Sequence, residues 1–279
     1  MFRRLFGVVP ALLSLSRTRR VRESDLLLPP SPPLPPLAEA VTRRNVELPL
    51  PGGAAGRALR GWYLERPGNL RTLIYFPGNQ ESLLRIAWRL HWMADNLDVN
   101  VLAFDYRGYG FSDGRATLGT IAYDGAVIYD HLEEVQPEGA GLPVIYGRSI
   151  GSLAAIETAV SRPVAGLILE GAPSAASDVI PSWRKMAPWY LRWLLRVRPD
   201  PALAARRPQP IDRIGDLRAP LLALHAGEDR IVPPVFGRRL FDAAGSKDKR
   251  WCPVPGATHN SLRIDRDPAL GCLREFLQR

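Results

Sequence analysis

Cysteine and histidine are both scarce in this chain, with two of the former and four of the latter in 279 residues. Two cysteines, Cys252 and Cys272, cannot build a disulfide framework, and no Cys/His spacing of the zinc-site kind occurs. They fall in the last expected strand and the last expected helix, which allows them to lie near each other, and free thiols in a reducing compartment are the favoured reading. A phosphate-cradling loop and a metal-ligand cluster are also missing, so no cofactor and no metal is called for. Long apolar runs are absent too. The stretch from Leu5 to Leu15 falls well short of the ~20 residues that a membrane-spanning helix needs.

Acidic residues are missing from one end. Residues 1–22 hold six arginines and no Asp or Glu, and residues 178–207 carry a net +5, which leaves −2 for the rest of a chain whose total is +9. A nucleic-acid binder spreads a basic stripe over its fold, so nucleic acid is excluded as the expected partner. Positive charge confined to two segments fits an anionic membrane surface or an anionic substrate. The first 22 residues admit several readings: a signal peptide with a poor cleavage site, a disordered basic tail, or an interfacial helix. In the last, Phe2, Leu5, Phe6, Val9, Leu12 and Leu13 share a face that Pro10 interrupts. The expected location is cytoplasmic with peripheral membrane contact through residues 1–22, and a secreted or periplasmic location stays open. Six prolines among residues 29–36 make an extended spacer. Residues 1–44 are therefore an arm and linker, and 45–279 form one domain.

From Val46 onward, short apolar runs alternate with helical patterns. Strands are expected near 46–50, 60–65, 72–76, 100–105, 143–146, 166–170, 220–225 and 250–254. Helices are expected near 81–97, 119–135, 150–161, 235–244 and 269–277. Such alternation implies a mostly parallel eight-stranded sheet with helices on both faces. An insertion of about 174–218 reads as a small helical cap above the carboxyl edge of the sheet. Within it, Trp183, Met186, Tyr190, Trp193, Leu194 and Val197 form one stripe, and Pro188 divides it. Aromatic residues here either pack the cap onto the body or wall an acyl pocket. Trp189 and Trp193 are the candidate substrate-binding residues.

The most informative stretch is Gly147-Arg148-Ser149-Ile150-Gly151, a G-x-S-x-G between the strand-like Leu142–Tyr146 and the helix-forming Ser152–Ala159. In that context a sharp turn strains the serine backbone and lifts its hydroxyl above the sheet edge. The flanking glycines let strand and helix approach closely.

A serine hydroxyl needs a base, and the base needs an orienting acid. His91 and His131 lie in helical patterns and read as partly exposed helix residues. His225 ends an apolar run and is expected to hydrogen-bond a neighbouring loop. His259, in a turn between the last strand and the last helix, is free to reach over the sheet and is the candidate base. The order Ser…Asp…His places the acid in Gly227-Glu228-Asp229-Arg230. Adjacent carboxylates point in different directions, so only one faces the imidazole; Asp229 is chosen over Glu228. Oxyanion donors are expected from the backbone N–H groups of Ile150 and of Asn79, the latter in the loop Pro77-Gly78-Asn79-Gln80-Glu81 after the third strand.

Together these segments resemble the α/β-hydrolase superfamily, specifically its small single-domain serine hydrolases, which include membrane-associated lipid hydrolases and depalmitoylating thioesterases. The resemblance covers about residues 45–279. It rests on Asp105-Tyr106-Arg107-Gly108-Tyr109-Gly110 after the fourth strand, on Gly147–Gly151, and on the segments around Asp229 and His259. It departs where many relatives have His-Gly-Asn and this chain has Pro77-Gly78-Asn79. The resemblance implies an α/β-hydrolase fold and a serine hydrolase working through an acyl-enzyme, and the aromatic cap makes a small-molecule acyl ester, a thioester or a lipid the expected substrate. Peptidase or amidase chemistry on the same residues, and a non-catalytic binding protein on the same fold, are the alternatives. Serine instead of aspartate at the turn argues against dehalogenase or epoxide hydrolase chemistry.

Overall fold

The computed structural model describes residues 20–21, 41–50, 57–178, 198–199 and 209–279. Its main sheet contains β1 (Thr42–Pro49), β2 (Ala58–Glu65), β3 (Thr72–Phe76), β4 (Asn100–Phe104), β5 (Val144–Arg148), β6 (Gly166–Glu170), β7 (Leu221–Ala226) and β8 (Lys249–Val254). The spatial order is β8-β7-β6-β5-β3-β4-β2-β1. Only β2 runs against the rest, pairing antiparallel with both β1 and β4. Among the described residues, five longer helices cover the faces: α1 (Leu83–Asn96), α2 (Leu118–Asp130), α3 (Ser152–Ser161), α4 (Pro234–Ala243) and α5 (Ala269–Leu277). A separate parallel pair, Arg20–Val21 with Arg198–Pro199, joins the arm to the insertion.

The central strands are buried on both faces, so they read as continuous apolar runs. In β3 (Thr-Leu-Ile-Tyr-Phe) every residue is buried. Its period of two sends Leu73 and Tyr75 to the face packed by α1 and α5, and Ile74 and Phe76 to the face packed by α2, α3 and α4. On α1, Leu83, Ile86, Ala87, Leu90, Met93 and Ala94 form the buried stripe of an amphipathic helix. The α2–α3 contact is close because Gly125 has no Cβ; one there would lie 2.8 Å from Thr158 Oγ1 and 3.0 Å from Ala154 Cβ.

Two expectations are corrected. Cys252 on β8 and Cys272 on α5 are joined as a disulfide, with Cα atoms 6.6 Å apart; they are not free thiols. Both residues lie in the core layer where α5 covers the sheet, which brings the side chains face to face. His91 is buried in α1, where the helical pattern alone suggested partial exposure. Of the insertion, the described ends meet each other: Ala176 N–H donates to Gln209 Oε1 at 3.0 Å, and Ile211 N–H to the Ser174 carbonyl at 3.0 Å. Residues 210–218 then pack onto the body, with Ile214 and Leu217 fully buried. The insertion thus leaves and returns at one place, beyond the carboxyl end of β6. Trp189 and Trp193 lie outside the described residues.

Candidate active site

Parallel order puts the carboxyl ends of β3, β5, β6, β7 and β8 along one edge, and the candidate residues sit on the loops that leave them. Ser149 follows β5 with φ +50, a left-handed conformation that is costly for a residue with a side chain. It opens a single 3-10 turn, Ser149–Gly151, that runs into α3. The glycines on either side make the turn possible. A Cβ at Gly147 would lie 2.9 Å from the Gly151 carbonyl oxygen, and one at Gly151 would run into the Phe76 and Pro77 carbonyls.

His259 Nε2 lies 2.9 Å from Ser149 Oγ. On its other side, Nδ1 lies 2.6 Å from Asp229 Oδ2. Both His259 and Asp229 are buried. Asp229 is fixed by its loop, since Oδ1 accepts the N–H groups of Ile231 at 2.9 Å and Val232 at 2.8 Å. One oxygen therefore holds the loop and the other faces the imidazole. Glu228 is exposed, and its backbone N–H donates to the Ala257 carbonyl at 2.8 Å, which ties the Asp229 loop to the His259 loop. Gly171, at the end of β6 with φ +58, leaves the space that the imidazole fills.

The other histidines are placed elsewhere. His225 sits in β7, stacked on Trp251, with Nε2 3.0 Å from the Val232 carbonyl. Burial lowers its pKa, an effect that the Val232 contact only partly offsets, so it is neutral and donates that bond. His131 caps the end of α2 beside Glu134.

The loop after β3 lies against the serine turn, because Gly151 abuts the Phe76 and Pro77 carbonyls. Asn79 and Ile150 are thus on adjoining segments, and Ile150 stands in the first turn, whose N–H groups have no partner within the turn itself. Two tyrosines from the loop after β4 brace this segment: Tyr106 Oη donates to the Pro77 carbonyl at 2.9 Å, and Tyr109 Oη to Asn79 Oδ1 at 2.9 Å. Behind it, Glu81 Oε2 accepts the Gly78 N–H at 2.5 Å. Reading the sequence did not single out Tyr106, Tyr109, Glu81, Gly171 or Glu170 for the site. Glu170 carried a signal, an acid closing the otherwise apolar run Gly-Leu-Ile-Leu-Glu, because carboxylates are almost never buried unpaired. Among the described residues no group of three His, Cys, Asp or Glu could hold a metal ion, and no helix is long and apolar enough to cross a membrane.

Strand order, the single reversed strand and the left-handed serine after β5 define an α/β hydrolase. Residues 69–216 and 206–267 match the family described as serine aminopeptidase, S33, and the chain belongs to that family. It is 30% identical over 228 residues to the uncharacterized protein Rv2307c of Mycobacterium tuberculosis, covering 80% of this chain and 75% of that one. It is 30% identical over 201 residues to protein bem46 of Schizosaccharomyces pombe, covering 70% of this chain and 64% of that protein. Among solved structures, an esterase of Pyrococcus furiosus, Pf2001, superposes with a TM-score of 0.67 at 19% identity, over 91% of this chain and 97% of that one. That likeness is one of fold.

Proposed function

We propose that this hydrolase cleaves carboxylic esters or thioesters with acyl or lipid-like substrates, through Ser149, His259 and Asp229 and without a cofactor. The observation that carries the reading is the hydrogen-bonded series Ser149–His259–Asp229, starting from a serine in a left-handed turn. His259 Nε2 takes the hydroxyl proton as Ser149 Oγ bonds to the carbonyl carbon. The N–H groups of Asn79 and Ile150 bind the resulting oxyanion. The tetrahedral species collapses to an acyl-serine, and the alcohol or thiol departs with the proton held by His259. Water then attacks the acyl carbon, giving its proton to His259, and the acid and free serine are released. Asp229 orients the imidazole and stabilises its cation throughout.

The test is labelling by a fluorophosphonate probe together with turnover of p-nitrophenyl esters of graded chain length. Labelling that is lost in Ser149→Ala supports the reading. Absence of both labelling and turnover in the folded wild type would sink it in favour of a binding protein. The family description favours a second reading, amide cleavage by the same residues. Turnover of a p-nitroanilide at a rate comparable to the matching ester would establish that alternative. Trp189 and Trp193 are proposed to wall the acyl pocket, so their replacement by Ala costs long-chain esters more than acetate esters. Equal losses would assign them to holding the cap together. Residues 1–22 are proposed to give peripheral contact with anionic membrane. Deletion of residues 1–40 then weakens binding to anionic vesicles and leaves hydrolysis of soluble esters intact.

A further inference from the structure

Arg148 is the last residue of β5 and directly precedes Ser149. Its side chain is buried, and its guanidinium reaches three separate segments at once. Nη2 donates to the backbone carbonyl of His259 at 3.0 Å, and Nη1 to Glu81 Oε1 at 2.7 Å. Nε donates to Glu170 Oε1 at 3.1 Å. Nη2 also lies 3.5 Å from Asn260 Oδ1. Both acids are committed on their far sides. The other oxygen of Glu81 accepts the Gly78 N–H in the loop that carries Asn79. The other oxygen of Glu170 is held by Arg89 and by the hydroxyl of Tyr146.

The four charged groups, Glu81, Arg148, Glu170 and Arg89, balance to zero. Burial opposes the charge on Arg148, and Glu81 and Glu170 outweigh that effect and keep it protonated. Stability is a weak reason for such a network, because buried ion pairs can often be replaced by apolar residues at no loss. Its layout offers a better one. The acceptors lie on the base loop, on the oxyanion loop through Glu81, and on the end of β6, and the donor is bonded to the nucleophile's own backbone. Only a planar fork with five donors meets three acceptors from one position; a lysine ammonium on a flexible stem does not.

We propose that Arg148 is a positioning residue that locks the His259 loop and the Gly78–Asn79 loop to the segment carrying Ser149, so that base, oxyanion donors and nucleophile form one rigid unit. This rests on the roles given to Ser149 and His259 above, and it adds a residue that touches none of the reacting atoms. It acts on rate by holding geometry, and a displacement of about 1 Å at such a site can cost 10²-fold.

The experiment compares wild type, Arg148→Lys, Glu81→Gln and the double variant. It measures kcat per fluorophosphonate-titrated site, KM for a soluble p-nitrophenyl ester, and the melting temperature. Arg148→Lys keeps the charge and loses the fork, so kcat per titrated site falls by roughly 10- to 100-fold while KM stays within about 3-fold. Glu81→Gln severs the oxyanion branch and lowers kcat by a smaller factor, and the double variant is no worse than Arg148→Lys because both act along one connection. A folded Arg148→Lys with kcat per site within about 2-fold of wild type overturns the proposal. A lower melting temperature and fewer titratable sites, with kcat per site unchanged, would also overturn it by making Arg148 merely structural. If Arg148→Lys does not fold, Glu81→Gln decides, since Glu81 lies nearer the surface, and an unchanged kcat there overturns the proposal. A wild type that neither labels nor turns over ester would instead remove the catalytic reading beneath it.

Discussion

The carboxylate of Asp105 caps a helix that it does not belong to. Its Oδ1 accepts the backbone N–H of Leu83, the first residue of α1, at 2.9 Å, and its Oδ2 accepts that of Phe111 at 3.0 Å. Ser82, at the N-cap position, makes no side-chain capping bond, so an acid at the end of β4 takes over that task. Gly110 leaves the space for it, since a Cβ there would run into the carboxylate. One side chain thereby joins the start of α1, which follows the Pro77–Glu81 loop, to the loop that supplies Tyr106 and Tyr109.

Burial raises the Asp105 pKa to about 6 from an ordinary value of 3.8, and the two N–H donors only partly oppose it. Between those values the folded state binds more protons than the unfolded one. Stability tied to this group is therefore complete below pH 3.8 and is lost as the pH rises through about 6. Asp105→Asn does not titrate, and it turns its NH2 toward one of the two N–H groups, at a cost of about 1–3 kcal/mol. Melting curves of both proteins should show the wild-type advantage shrinking from about pH 4 to 7 and level above that. An advantage that grows over this range would contradict burial as the dominant influence.

Ser149→Ala and His259→Ala should each lower ester hydrolysis by at least ~10³-fold, with the double variant little worse than either single one. The melting temperature of Ser149→Ala should stay close to wild type, because a single atom is lost, whereas His259→Ala takes from the buried Asp229 Oδ2 its 2.6 Å partner and should melt somewhat lower. Near-wild-type turnover in either variant would dismiss the assignment.

Asp229→Asn should be the sharper probe of the acid. Its remaining carbonyl oxygen can still accept from Ile231 and Val232, so the loop holds, but the amide now donates to His259 Nδ1. The imidazole then carries its proton on Nε2 and cannot take one from Ser149, and kcat should fall by ~10⁴-fold. Glu228→Gln, at an exposed position, should change kcat little. Kinetics showing the reverse order would mean that the acid is misassigned.

Gly171→Ala tests the space beside the base. The new Cβ would lie 3.0 Å from His259 Cε1 and 3.2 Å from Nδ1, so the ring must give by a few tenths of an ångström. A left-handed alanine also costs about 1–2 kcal/mol. We expect kcat to drop by roughly 10-fold or more with KM little altered. Unchanged kcat in a folded variant would show that the imidazole tolerates the shift.

The central strands β3 to β7 and the five helices were legible because buried parallel strands leave short, mostly apolar runs and the helices between them keep a 3.6-residue stripe. That Ser149, Asp229 and His259 would meet was legible because the G-x-S-x-G context and the chain order narrow the choice of partners. What escaped was every contact set by topology. Asp105 meets Leu83 only because β4 lies beside β3, from whose end α1 departs. Glu81, Arg148 and Glu170 converge because β3, β5 and β6 are neighbours. Glu81 and Arg148, taken singly along the chain, look like solvated charges, and only Glu170, closing an apolar run, hints at a buried partner. The exposure of His91 was misjudged for a related reason: helical period does not say how wide a stripe the sheet covers.

The bridge between Cys252 and Cys272 has its own consequence, because His259 lies inside the closed stretch that it defines. A protease that nicks the backbone between residues 253 and 271 would not cut the molecule in two. Each new end would stay tethered through sulfur, one to β8 and the other to α5. Clipped protein should therefore run as a single band on a non-reducing gel, and separate into two on a reducing one. Added thiol, harmless to the intact chain's continuity, should set the carboxyl-terminal piece that carries Cys272 free only after such a cut.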